Sequence, residues 1–106
     1  MSTKNPKNHW FYYAANGEER KGIRKSKFKA QEGKCAICGI FLELKGATEG
    51  GNVAHLDHNH NTKTFRDILC SNCNRGLGCF QDSRILLLKA FQYLKKHDLT
   101  INGRAV

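Results

Sequence analysis

Apolar residues recur most clearly at helical spacing near the C-terminal end, where Leu87, Ala90, Phe91 and Leu94 form a stripe. The stripe predicts a helix running to about residue 97, with Ser83 as its N-cap. Such a face serves a packed core or the contact of a homodimer rather than chemistry. Upstream the pattern changes. Val53 to His58 reads as a strand, Asn59 to Lys63 as a turn and Thr64 to Leu69 as a returning strand, giving a β-hairpin with histidine-rich residues at its tip. Asn74 to Phe80 reads as a short helix, weakened at Gly76 and Gly78 by about 1 kcal/mol each relative to Ala. Residues 18–32 are charged and helix-tolerant, and Gly33 stands where a glycine commonly ends a helix. Two further stretches break the periodicity: the apolar run Ile40-Phe41-Leu42 and a Gly-rich loop from Lys45 to Asn52. Before the turn signal Asn16-Gly17 lies the aromatic group Trp10-Phe11-Tyr12-Tyr13, suited to packing on the domain or to stacking on bases. The chain thus divides into a basic N-terminal segment (1–30), a central domain (31–97) and a C-terminal tail (98–106).

At 106 residues only a modest core can form, so a structural metal would contribute materially. No run of 18 apolar residues is present to span a membrane, and the first residues lack the apolar stretch of a signal peptide. The expectation is a cytoplasmic protein, where the five cysteines are better metal ligands than disulfides. The net charge of +9 is uneven: residues 1–34 carry +6, residues 35–79 are neutral and residues 80–106 carry +3. A neutral centre with basic flanks suits a cation site surrounded by a grip on a polyanion, with Arg24, Lys25, Lys27 and Lys29 as candidate DNA contacts. The bland alternative is a basic surface that only aids solubility.

Two Cys-x-x-Cys knuckles, Cys35-Ala36-Ile37-Cys38 and Cys70-Ser71-Asn72-Cys73, carry the most specific spacing. A two-residue gap lets both sulfurs of a knuckle meet one tetrahedral Zn²⁺, and Gly39 allows the tight turn after the first pair. Four thiolates leave no open coordination position, so this zinc is structural. The 31 residues between the knuckles exceed the roughly 15–20 of a simple zinc ribbon. The surplus holds the hairpin, whose two ends the metal would fix. Thioredoxin-like redox chemistry lacks its βαβ frame here. Cys79 is left over as a small buried hydrophobe.

His55-Leu56-Asp57-His58-Asn59-His60 gathers three of the five histidines around one carboxylate. A second metal-binding loop or a solvated turn is one reading. The other assigns Asp57 as a hard oxygen ligand for Mg²⁺ and His58 as a group able to take a proton from water.

Taken together, Gly33 to Gly39, His55 to His60 and Ile68 to Gly78 resemble the recombination endonuclease VII family of phage and bacterial nucleases. The similarity runs from about Gln31 to His97 and includes a helix at Leu87, Phe91 and Leu94. The resemblance implies a small α+β, zinc-stapled ββα-metal domain (HNH, His-Me finger) with flanking helices, acting as a metal-dependent DNA endonuclease. It places zinc on Cys35, Cys38, Cys70 and Cys73, a catalytic Mg²⁺ or Mn²⁺ on Asp57 and Asn74, the general base at His58 and a phosphate contact at His60. His55 matches as a structural residue. Arg66 and Arg75 are further candidates for phosphate neutralisation, or else solvated surface charges. Since neighbours on a strand face opposite ways, Asp57 and His58 can both point inward only if the chain bends at the hairpin end. Asp67 stands where the family usually has Gly, a departure that bears on the returning strand, and the long C-terminal part of the junction-resolving members has no counterpart. The competing classes are a non-catalytic zinc-ribbon DNA-binding adaptor and a redox or zinc-storage protein. A pure binder has no need of a base beside two oxygen ligands, and storage has no need of basic flanks. The working compartment would be the cytoplasm, that of the host if the chain is phage-encoded.

Overall fold

The computed structural model describes residues 16–46 and 51–97, with backbone alone for 100–101 and 104–105. The aromatic group at residues 10–13 lies outside the described residues. Two compact units form, residues 1–74 and residues 75–106.

In the first unit, helix α1 covers Gly17–Ala30. Its start is a capping box rather than a free turn. The Asn16 side chain accepts from the Glu19 N–H at 2.8 Å, and the Glu19 carboxylate accepts from the Asn16 N–H at 2.8 Å. Glu18 and Glu19 in the first turn and Lys27 and Lys29 in the last suit the helix dipole. Gln31 closes the helix, and the chain then turns through left-handed backbone at Glu32 (φ 57°) and Gly33 (φ 74°).

The Gln31 side chain takes over the hydrogen bonding where the helix stops. Its Oε1 accepts from the Ile68 N–H at 2.7 Å, while its Nε2 donates to the Lys34 carbonyl at 2.7 Å and the Ile68 carbonyl at 3.0 Å. One amide thus pairs with both backbone groups of a residue that is 0% exposed.

The first knuckle turns on itself: the Cys35 N–H bonds to the Ile40 carbonyl at 2.9 Å, and Gly39 sits at φ 81°. Phe41 and Lys34 bridge antiparallel, and Glu43 bridges parallel to Val53. From the apolar run, Leu42 goes inward and Phe41 outward.

Strand β1 (His55–Asn59) pairs antiparallel with β2 (Thr64–Leu69). Val53 and Ala54, expected within the first strand, precede it as buried residues. At the tip the Asn59 side chain accepts from the Asn61 and Thr62 N–H groups at 2.8 and 3.0 Å, and Lys63 takes φ 62°. The register pairs Asn59 with Thr64 and His58 with Phe65, then shifts so that Leu56 pairs with Ile68. Two residues of β2, Arg66 and Asp67, therefore oppose Asp57 alone in a β-bulge. Asp67 is held without left-handed backbone, which is why a side chain is tolerated in the strand there.

Helix α2 spans Ser71–Cys79 and starts three residues before the expected Asn74. Cys70 begins it in the manner of an N-cap: its sulfur accepts from the Cys73 N–H at 3.3 Å and its carbonyl from the Asn74 N–H at 2.9 Å. The cysteine spacing, not side-chain periodicity, sets this helix start.

The buried apolar residues among those described are Cys35, Leu42, Val53, Ala54, Phe65, Ile68, Leu69 and Cys70. Two of the eight are knuckle cysteines, so core and sulfur cluster are one body. Arg24 ties α1 to the same body, its Nε donating to the Ala54 carbonyl at 2.9 Å and Nη2 to the Lys45 carbonyl at 2.7 Å.

In the second unit, α2 ends through left-handed Gln81 and Asp82, and helix α3 (Arg84–His97) follows. Ser83 caps it as expected, its Oγ accepting from the Leu86 N–H at 3.1 Å. No residue of α3 is buried. Of the stripe, Leu87 and Ala90 are half-buried and Phe91 and Leu94 exposed, so it does not serve as a core face among the described residues. Cys79, expected as a small buried hydrophobe, is exposed as well. Two short strands, β3 (Thr100–Ile101) and β4 (Arg104–Ala105), pair antiparallel. No helix among the described residues is long and apolar enough to cross a membrane.

Candidate metal and active centre

The two knuckles meet. The Sγ atoms of Cys35, Cys38, Cys70 and Cys73 all lie within 4.8 Å of one another, with Cys38 and Cys70 3.7 Å apart. Sulfurs arranged tetrahedrally about 2.3 Å from one zinc would be spaced by about 3.8 Å. The donor set therefore fits a metal ion such as zinc. The backbone holds the sulfurs in place: Cys35 Sγ accepts from the Ile37 N–H at 3.4 Å and the Cys70 N–H at 3.3 Å, in addition to the Cys73–Cys70 bond of the helix start. Burial alone would raise the Cys35 thiol, but the backbone N–H groups of Cys38, Cys70 and Ile37 outweigh it and hold its pKa at about 6. Cys73 goes the other way, pushed to about 12 by burial and by the neighbouring thiols.

A second centre forms at the bulge. Asp57 is 9% exposed, the one buried charged residue among those described. Arg66, directly across, donates from Nε to Asp57 Oδ2 at 2.5 Å. The pairing is irregular between Leu56 and His58, where the extra residue belongs to β2. His58 is half-buried, with its ring 4.4 Å from that of His60. Burial, then the neighbouring His60, lowers the His58 pKa below its usual 6.5 against the opposing pull of Asp57. The imidazole is therefore neutral at neutral pH and able to accept a proton. His60 is exposed at the turn, and His55 is half-buried at the start of β1.

Asn74 lies one residue beyond Cys73 in the first turn of α2, so the sulfur cluster fixes its backbone. Among the described residues its side-chain amide has no hydrogen-bond partner. A buried carboxylate and an uncommitted amide oxygen are hard donors suited to a divalent cation.

The remaining candidates separate. Lys25 and Lys29 are exposed on α1, whereas Lys27 pairs with Asp67 at 3.5 Å and Arg24 is engaged with backbone carbonyls. Arg66 is held by Asp57, and Arg75 is exposed in α2. Sequence reasoning missed the Gln31 bridge, the Arg24 tether and the Asp57–Arg66 pair. Only the last left a signal: counting back from the tip, where Asn59 faces Thr64, puts Asp57 opposite Arg66.

A bulged hairpin leading into a helix, stapled by four cysteines, defines an α+β fold of the ββα-metal kind. The chain belongs to the recombination endonuclease VII family, whose sequence profile matches residues 9–96. That match reaches upstream of Gln31 and takes in α1. Among solved structures, the chain resembles the ββα-Me type II restriction endonuclease Hpy99I, with 31% identity and a TM-score of 0.51 over 80% of this chain. It spans half the length of that enzyme. No curated protein matches the chain significantly.

Proposed function

We propose that the protein is a metal-dependent DNA endonuclease hydrolysing phosphodiester bonds by an HNH one-metal mechanism. Family membership and the ββα-metal fold support the class. The single observation that carries the mechanism is the adjacency, beside a bulge in β2, of the buried Asp57 carboxylate and the neutral imidazole of His58. Zn²⁺ on Cys35, Cys38, Cys70 and Cys73 is structural. Asp57 and Asn74 hold Mg²⁺ or Mn²⁺, which supplies Lewis-acid activation of the phosphate and neutralises charge on the leaving oxygen.

The chain's own residues then have distinct tasks. His58 accepts the proton of the attacking water, and its half-buried ring against His60 keeps the acceptor nitrogen neutral. His60, at the exposed turn, contacts the phosphate. Lys25 and Lys29 grip the DNA backbone, and Arg75 on α2 is a separate phosphate contact. Such an enzyme works in the cytoplasm, that of the host if phage-encoded. Homing or nicking, restriction and junction resolution all use this chemistry.

The test is cleavage of supercoiled plasmid, linear duplex and a four-way junction, with Mg²⁺ and with EDTA. Parent protein should cut only with the metal. His58→Ala should keep its zinc, fold and DNA affinity yet lose about 10²–10⁴-fold in rate, the range for one general base. Equal cutting by His58→Ala would remove the mechanism, and DNA binding without any cutting would favour the zinc-ribbon adaptor.

A further inference from the structure

Asp57 and Arg66 form the one ion pair among the described residues that involves a buried carboxylate. The arrangement is specific to the bulge: the extra residue Asp67 points to solvent, and Arg66 stays opposite Asp57 with its side chain two-thirds covered. Its Nε occupies one carboxylate oxygen, Oδ2, and no bond in the described residues occupies Oδ1.

We infer that Arg66 is a positioning residue that acts as the resident counter-charge of Asp57 and thereby sets how weakly this centre binds its divalent cation. The inference rests on the reading of Asp57 as a metal ligand. A buried carboxylate without a partner is unfavourable, so an isolated Asp57 would either disturb the hairpin or take a cation too tightly to exchange. A guanidinium fixed against one oxygen removes that problem before any metal arrives. It leaves the other oxygen open and repels a dication bound to the same carboxylate. At any separation a shared carboxylate allows, a unit charge opposing a dication is worth on the order of tenfold in affinity, even at the dielectric of water. A phosphate drawn to the cation would meet the same charge and offer the guanidinium a further acceptor. Cation binding is then tightened by DNA, through a residue that touches both Asp57 and substrate.

The experiment measures Mn²⁺ binding by electron paramagnetic resonance on the full-length, zinc-loaded protein without DNA. The variants are Arg66→Gln, Arg66→Lys and Asp57→Ala. Arg66→Gln keeps a donor but removes the charge, and should bind Mn²⁺ roughly tenfold more tightly than the parent. Arg66→Lys restores the charge and should return affinity to near the parent value. Tighter binding is an outcome that mere loss of structure does not produce, and zinc content with circular dichroism checks the fold independently. Unchanged or weaker binding in Arg66→Gln would overturn the inference while leaving the nuclease reading intact. If Asp57→Ala binds Mn²⁺ like the parent, the metal assignment itself fails.

Discussion

The two centres of the first unit are built in opposite ways. The cysteine cluster is closed: four sulfurs lie within 4.8 Å of one another, and backbone N–H groups hold the first of them in place. The Asp57 centre is open. It has one buried carboxylate, already paired with an arginine, and Asn74, whose amide has no partner among the described residues, is proposed as its second donor. A closed set of four donors suits a metal that never leaves, and an incomplete set suits one that meets a substrate. The difference teaches where stability and chemistry are kept apart. On the proposed assignment they meet at α2, where Cys73 belongs to the first centre and Asn74 to the second.

The largest effect should come from breaking the closed centre. Cys35→Ala or Cys73→Ala should abolish cooperative folding, because apparent binding energies of about 10–16 kcal/mol for structural zinc exceed the stability of a small domain. The core makes this concrete, since Cys35 and Cys70 are themselves among its eight buried apolar residues. Metal analysis should find one Zn²⁺ per chain, and a chelator strong enough to remove it should unfold the protein. A folded, zinc-free protein would remove the staple.

Breaking the open centre should leave the fold standing. Asp57→Ala and Asn74→Ala should retain zinc and DNA affinity, and should shift the Mg²⁺ dependence of cleavage to higher concentration. Titrating Mg²⁺ at saturating DNA measures the shift. If both variants instead lose zinc, the two centres are one structural unit and the comparison fails.

How far this was legible depends on the range of the signal. The knuckles and the hairpin are local patterns, and the pairing of Asn59 with Thr64 and His58 with Phe65 follows from a short turn with Asn59 at its start. The helix stripe at Leu87 to Leu94 gave the right element, but its neighbours are a tertiary matter, and the expected burial is absent from α3. The bulge was invisible because an extra residue in β2 changes no residue type. Arg24 and Gln31 were misread or unread for one reason. Each reaches 21 to 37 residues along the chain to backbone carbonyls or N–H groups, which carry no sequence signature.

Gln31 sharpens the comparison at intermediate cost. It is the bridge between α1 and the strand that carries Arg66, and it satisfies the N–H of the fully buried Ile68. Gln31→Ala should destabilise the fold by about 1–3 kcal/mol, the cost of an unsatisfied buried polar group. Thermal unfolding of the zinc-loaded protein gives the value. Because the sulfur cluster remains, the Mg²⁺ requirement should stay at the parent level, and a large shift in it would mean that β2 is held for the open centre rather than the closed one.

The smallest effect separates basic residues that look alike in sequence. Arg24, Lys25, Lys27 and Lys29 share one basic run, yet only two of them are uncommitted. Arg24 is engaged with the carbonyls of Ala54 and Lys45, and Lys27 faces Asp67. Lys25 and Lys29 are exposed and have no ion-pair partner among the described residues. Each phosphate contact on duplex DNA contributes about 0.9 to the slope of log affinity against log salt concentration. Lys25→Ala and Lys29→Ala should each lower that slope by close to this amount, with thermal stability unchanged. Arg24→Ala should do the reverse, lowering stability because two backbone carbonyls lose their donor while the slope stays near the parent value. A slope change in Arg24→Ala equal to those in Lys25→Ala and Lys29→Ala would mean that the Arg24 guanidinium leaves its carbonyls when DNA is bound. An unchanged slope in Lys25→Ala and Lys29→Ala would mean that this face of α1 points away from the nucleic acid, and the grip would then fall to Arg75 and the basic residues of α3.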